Sequence, residues 1–445
     1  MRQTNKIRKG IAWLLCTVLV LGILPMLPQI SMQISAAENA ASVFVDGVEL
    51  HAGSQEYFKN GDTADSGATG TYEDHSAYYD TAGELWLNNL EAHTIKANGN
   101  LTIYVCNNQE TNTNIVTATQ NETAIEVTGY LTIRYGGYGG GTGSLTVESD
   151  GKEAIQAGSG MTVSDGVEVK VRAKSGATAI SSGGVLKIDG IRTKLEAAGD
   201  GSTGKGIFAQ QSIYVKNSAV LTAFGGAAAY ESPSGIDKSG YGYEDYNVFT
   251  GDAAPGTQAA KDTVLDGYKY IRIEPTGVAN VKTLTELQAA AQNQYISLIN
   301  VMNDITITDT VYVRRAVTIQ SPDASNVSKL IRGKSHTDVI LDFDGANGHK
   351  SDVVTLKNII VDGNKDGNTQ TASPALKSKS ILVNLESGTV IENNHAKEGA
   401  AIYVNHYSTV TMKEGSEIRN NVSESDGTVY VIGNGGYFEM AGGTI

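Results

Sequence analysis

The chain has 445 residues, with 51 Gly, only 7 Pro and 18% charged residues against about a quarter in ordinary domains. That balance excludes a disordered tail, a collagen and a coiled coil, and leaves an ordered, Gly-punctuated, β-rich chain with material for one long or two ordinary domains. The formal net charge is −14, and removing a leader that holds four positive and no acidic residues takes it to −18, a surface that argues against nucleic acid as a partner.

Residues 1–10 carry those four charges, residues 11–24 are almost wholly apolar, and Ser35-Ala36-Ala37 places small residues before Glu38. This is the pattern of a secretory signal peptide over 1–37. The apolar run is shorter than the ~20 residues of a spanning helix, so the expected mature chain is exported and has no membrane span. Cys16 follows bulky Leu14 and Leu15, which argues against lipidation. Cys106 is then the lone thiol, no intrachain disulfide can form, and the residue reads as a small core hydrophobe.

Residues 38–98 read as a lead-in β region, with strands at 43–50 and 85–87. From 99 to 275 one unit recurs. Ala124-Ile125, Ala154-Ile155, Ala179-Ile180 and Gly206-Ile207 are spaced by 30, 25 and 27 residues. Each is followed by a second short strand (Leu131–Ile133, Met161–Val163, Leu186–Ile188, Ile213–Val215) and a third (Leu145–Val147, Val169–Val171, Leu195–Ala197, Leu221–Ala223). Apolar and polar residues alternate in all of them, with Gly, Asp or Ser turns between. Three strands per repeat describe one triangular coil of a right-handed parallel β-helix, whose inward face is buried only by stacking on the next coil. The alternating strand Tyr268–Ile273 closes this array, and Pro275-Thr276-Gly277 reads as a linker.

The second array, 276–445, opens with a capping box, Thr283-x-x-Glu286, that predicts a short helix through Ala291 placed to cover a solenoid end. Its coils repeat at 27 to 28 residues: Gly399–Val404 returns at Gly427–Val431, Met412 at Met440, and Ile391–Asn394 at Ile418–Asn421. The paired Asn residues predict a ladder of turn amides bonded from coil to coil. The sequence stops at Gly443-Thr444-Ile445 in mid-coil, so the array is expected to be a fragment of a longer one. Ten to fourteen coils at ~4.8 Å strand spacing would make a monomeric rod on the order of 50–70 Å long.

The run Tyr78–Asp80 with Glu84–Leu90, followed by Gly99–Ile103 and Gly143–Val147, resembles repeats of large secreted surface proteins of Gram-positive anaerobes. Those are carbohydrate-binding-like parallel β-helix proteins. Residues 279–445 are similar to the pectin-lyase-like β-helix segments of bacterial adhesin-like proteins. The resemblance implies an all-β solenoid on a cell wall or cell surface, with a polysaccharide or a host or cell-surface protein as partner.

Many proteins of that fold cleave polysaccharides, yet the chemistry is hard to place here. The acidic motifs of a polygalacturonase-like site are missing, Gly348-His349-Lys350 matches one only in part, and Asp165, Asp189 and Arg192 are isolated. Hydrolysis needs two carboxylates across one bond. The expectation is therefore a non-catalytic stalk or carbohydrate-binding surface that requires no cofactor, with a polysaccharide lyase or glycoside hydrolase as the alternative. The segment Asp362-x-Asn364-x-Asp366-Gly367-Asn368 follows the first half of a calcium loop, but Ser373 stands where the bidentate Glu belongs. Its plainer reading is a β-helix turn, and calcium there would be structural. With 21 Tyr and 7 Phe, the candidate sugar contacts are Trp86, Tyr135, Tyr138, Tyr241, Tyr243 and Tyr246, several of which could instead pack.

Overall fold

A computed structural model describes residues 38–71, 74–106, 113–137, 142–238, 242–345, 351–367, 372–433 and 435–445. These residues form a β-solenoid of about 12 turns with one helix, and no helix among them is long and apolar enough to cross a membrane.

In the first array the repeats stack in register on three walls. On the first wall, Ile95, Ile125, Ile155, Ile180 and Ile207 pair strand by strand into one inward row, each fully buried. Leu101, Leu131, Met161, Leu186 and Ile213 make the equivalent row on the second wall. Val147, Val171, Ala197 and Ala223 make it on the third. The small residue before each Ile sits where walls converge: a Cβ on Gly206 would lie 2.5 Å from the Ala229 carbonyl oxygen.

The lead-in region covers the first coil. Hairpin Ser42–Val45/Val48–His51 pairs antiparallel with Ile95–Ala97, and Ala77–Tyr79 pairs antiparallel with Glu84–Asn88. Antiparallel cover of this kind removes the open strand edges that a bare solenoid end would present.

The passage between arrays differs from the expected linker. Tyr270–Val281 is one strand that contains Pro275, Thr276 and Gly277. Its first half pairs antiparallel with Val220–Gly225, the last third-wall strand of the first array. Its second half pairs parallel with Leu298–Val301, the first such strand of the second. Glu244–Gly251 runs along it antiparallel through a bulge. Since a strand has two edges, and that neighbour takes one along the whole length, both arrays leave from the other edge, with opposite chain direction. The two arrays therefore share this strand, which joins their third-wall strands in one sheet. Gly277, at φ 81°, lets the chain turn between the two pairings.

The helix α1, Leu284–Gln292, has the predicted capping box of Thr283 and Glu286 and buries Leu287, Ala290 and Ala291. Those residues join a second core that runs from Ala279 to Ile418, apart from the first core of Ala40 to Ile273. One inward position of the second array holds a charge: Arg332 is fully buried, and its guanidinium donates to the carbonyls of Ser373 (2.9 Å) and Pro374 (3.2 Å).

A buried carboxylate fastens the junction. Glu244 accepts from Ser218 N–H (2.8 Å), Ser218 Oγ–H (2.9 Å) and Asn293 Nδ2–H (2.8 Å). Ser218 closes the last corner of the first array, and Asn293 caps the C-terminus of α1. All three are at most 5% exposed. Burial raises the Glu244 pKa, and the three hydrogen bonds oppose that shift without cancelling it. Above the unfolded pKa near 4.5 the folded chain keeps a proton that the unfolded chain has released, so stability falls as pH rises through this window. Against Glu244→Gln, which cannot titrate, the wild-type denaturation midpoint is expected to decline from pH 4.5 upward. A pH-independent difference between the two proteins would refute this role.

Candidate functional site

A groove of about 870 Å³ runs along the outer third wall of the first array. Register builds it. With inward positions filled by Val, Leu and Ala, the alternate residues face solvent and align coil on coil. One outer row is Thr146, Lys170, Glu196, Thr222 and Arg272, and its neighbour is Glu148, Arg172, Ala198, Phe224 and Tyr270. Tyr270 closes one end, with its ring packed on Gly256 of the adjoining hairpin.

Acids and bases alternate along this floor. Arg172 pairs with Asp200 (2.9 Å), Lys174 with Glu148 (3.2 Å), and Glu168 with both Lys170 (3.4 Å) and Lys194 (3.9 Å). Arg272 pairs with Glu274. The groove thus sets carboxylates beside Lys and Arg on neighbouring coils, which a lyase also requires. Glu148, Glu168, Asp200 and Glu274 are all held by cations at the surface, however. The arrangement is suited to hydrogen-bonding the hydroxyls of an extended chain.

A second outer feature is an aromatic column on the second wall. Trp86 stacks between Tyr78 (5.8 Å between centroids, 3° between planes) and Tyr104 (4.1 Å, 9°). Tyr57 and His75 pack at the Tyr78 end, and the Arg134 guanidinium lies 5.3 Å from the Tyr104 centroid. The Trp86 indole N–H donates to Asp80 at 3.0 Å. Tyr78, Trp86 and Tyr104 are each half-buried, and their stacking braces the N-terminal coils.

The other candidate sugar contacts are dispersed. Tyr135 and Tyr246 pack against the first core, and Tyr243 against the second. Burial pushes the Tyr243 phenol up to about 12. Tyr138 and Tyr241 lie outside the described residues.

The calcium-like segment falls at a repeating corner. Asp362 pairs with Glu392 and Glu392 with Arg419 on successive coils, so Gly363-Asn364 occupies the corner that holds Asn393-Asn394 and Asn420-Asn421. Asp362 Oδ1 accepts the Asn364 N–H at 2.8 Å, and its other oxygen lies 3.7 Å from Lys329 Nζ. The Asn364 amide donates to the Arg332 carbonyl at 2.9 Å. A Cβ on Gly363 would meet Asn394 Cα at 2.3 Å, so that glycine serves packing. Asp366 is exposed, and Asn368 lies outside the described residues. No group of three or more His, Cys, Asp or Glu placed to hold a metal occurs among the described residues. At this corner the Asn side chains bond the neighbouring backbone: Asn421 Oδ1 accepts the Asn394 N–H at 3.0 Å, and the Asn421 amide donates to the Ile391 carbonyl at 2.9 Å.

Sequence reasoning passed over the groove because its residues look like ordinary solvent-facing charges. The one available signal was that Lys170, Arg172, Lys194 and Glu196 all sit at outward positions of the recurring third strand.

With this geometry in place, the comparison with known families is informative for the second array. Residues 278–428 match a family model described as a pectate lyase-like adhesive domain. No curated protein and no solved structure matches the chain. Over that segment the parallel β-helix is similar to this family, and the first array lies outside the match.

Two outcomes follow for the aromatic column. Trp86→Ala removes two stacked pairs, each worth about 0.5–1.5 kcal/mol, so a loss of about 1–3 kcal/mol is expected in chemical denaturation. Cys106 lies beside Gly136, where a Cβ would come within 3.0 Å of its Sγ. Burial pushes its thiol up to about 11, so it stays protonated and unreactive at neutral pH. Iodoacetamide at pH 7.5 should label it only after unfolding.

Proposed function

We propose that the protein is a non-catalytic adhesive solenoid, exported by its leader, that holds polysaccharide along the outer face of its coils at the cell surface. The observation that carries this reading is the groove over Thr146–Glu274, where charged and hydroxyl side chains recur on successive coils. Each contact is weak, but a polymer lying along the rows makes several at once, and their effects combine through multivalency. The adhesive description of the matched family supports the same reading for the second array.

The lyase alternative draws on one feature, the nearness of Lys170, Arg172 and Lys194 to Glu168 and Glu196. Binding and turnover can be read together. Residues 38–445 would be applied to an array of plant and bacterial polysaccharides, with and without a calcium chelator, while released unsaturated product is followed by its absorbance. Binding without product is expected. The double substitution Lys170→Ala/Arg172→Ala removes charged hydrogen-bond donors worth about 1.5–3 kcal/mol each, so the affinity for anionic polymers should fall at least about tenfold. Product formation would establish the enzyme instead, and unchanged affinity in the double variant would remove the groove from the account. Loss of binding with chelator would assign calcium a structural part.

A further inference from the structure

The groove is not uniform along its length. Every outward residue of Ser144–Asp150 and Glu168–Lys174 is charged or carries a hydroxyl. On the next two coils the row that contains Arg172 continues in register with Ala198 and then Phe224. Both are half-buried and both line the groove, so a phenyl ring faces outward beside a position that has no side chain beyond Cβ.

The neighbours of Phe224 define a slot. On one side it is in register with Tyr270, which is 4% exposed. The Tyr270 ring lies against Gly256, in the turn of a hairpin paired with the opposite edge of that strand. On the other side the groove reaches the sheet backbone, because Ala197, whose own side chain points inward, also lines it. The next long side chain of the row is Arg172, whose strand is two spacings (~9.6 Å) from that of Phe224, and it is held by Asp200 at 2.9 Å. Along the strand, Glu196 and Asp200 flank Ala198 on the same face, since alternate residues point the same way. The slot over Ala198 thus has an aromatic ring on one side, an Arg–Asp pair on the other, and a carboxylate at each end.

We propose that this slot is a subsite for one uncharged pyranose of a bound glycan, with a C–H face of the sugar on Phe224 and its hydroxyls donating to Glu196 and Asp200. A pyranose with equatorial hydroxyls presents axial C–H groups to the negative face of an aromatic ring. Two carboxylates at the ends of the slot accept hydroxyl hydrogens, and they disfavour a uronic acid, which would add a third negative charge. The subsite rests on the polysaccharide reading of the groove and adds to it a preference, at this position, for a neutral ring. The charged coils around Lys170 are left to contact the rest of the polymer.

The register supplies two independent ways to close the subsite. Phe224→Ala removes the ring. Ala198→Leu leaves the ring in place and fills the slot with an outward side chain that pairs with it across the strands, so its thermal midpoint should equal or exceed that of the parent. The probes are cellohexaose, an extended chain of neutral rings with equatorial hydroxyls, and polygalacturonate, in which every ring carries a carboxylate. Each is titrated calorimetrically into residues 38–445. Both variants are expected to weaken cellohexaose binding about three- to tenfold, Phe224→Trp to retain it, and both to bind polygalacturonate within about twofold of the parent. Parent-like cellohexaose affinity in Ala198→Leu would overturn the subsite, and an equal loss for polygalacturonate would overturn its preference for a neutral ring. If the parent bound polygalacturonate but not cellohexaose, the subsite would fall while the groove reading stood. If it bound neither, both would fall.

Discussion

Each coil of this protein leaves strand edges whose N–H and C=O groups are satisfied only by another coil in register, and most of the structure follows from that requirement. Register aligns the buried isoleucines from Ile95 to Ile207 into one row. A slip of one residue would turn every one of them toward solvent. The same requirement makes the corners demanding, since the chain must change direction within one or two residues and pass close to its neighbour. Gly206 and Gly363 are there because adjacent backbone leaves no room for a Cβ.

The two arrays meet under a different constraint. Chain direction along the third wall reverses at Tyr270–Val281, and a strand that pairs antiparallel with one stack and parallel with the other allows this without exposing a ladder. The Glu244 cluster then fixes the corner of one stack to the helix cap of the other through a carboxylate that is almost fully buried. Its raised pKa is the cost of that burial.

Outer faces inherit the register of the inner ones, so whatever side chain an outward position carries is repeated as a row. The three rows differ in what they can do. Around Lys170 and Glu196 the repetition makes a charged groove. Around Trp86 it makes a column of rings that satisfy one another. Around Thr355 and Asn384 it makes a row of hydroxyls and an amide that runs on through Thr411 to Glu439.

The parallel β-helix, its coil boundaries, the inward residues and the capping box of α1 were legible in the sequence, because period, alternation and turn chemistry are local properties and the coils repeat them. Even the calcium-like run at Asp362 carried its plainer reading openly, as a turn in step with Asn393 and Asn420. The sequence could not show that Pro275–Gly277 lies within a strand, since which neighbours that strand pairs with is decided by the whole fold. Nor could it show that Arg332 points inward onto carbonyl oxygens. Trp86 illustrates the limit most clearly: its position on a strand was readable, but Tyr78 and Tyr104 come from other strands and meet it only through register. Local pattern determined which residues face in and which face out, and tertiary stacking alone decided which outward residues became neighbours, because that contact lies across the coils and not along the chain.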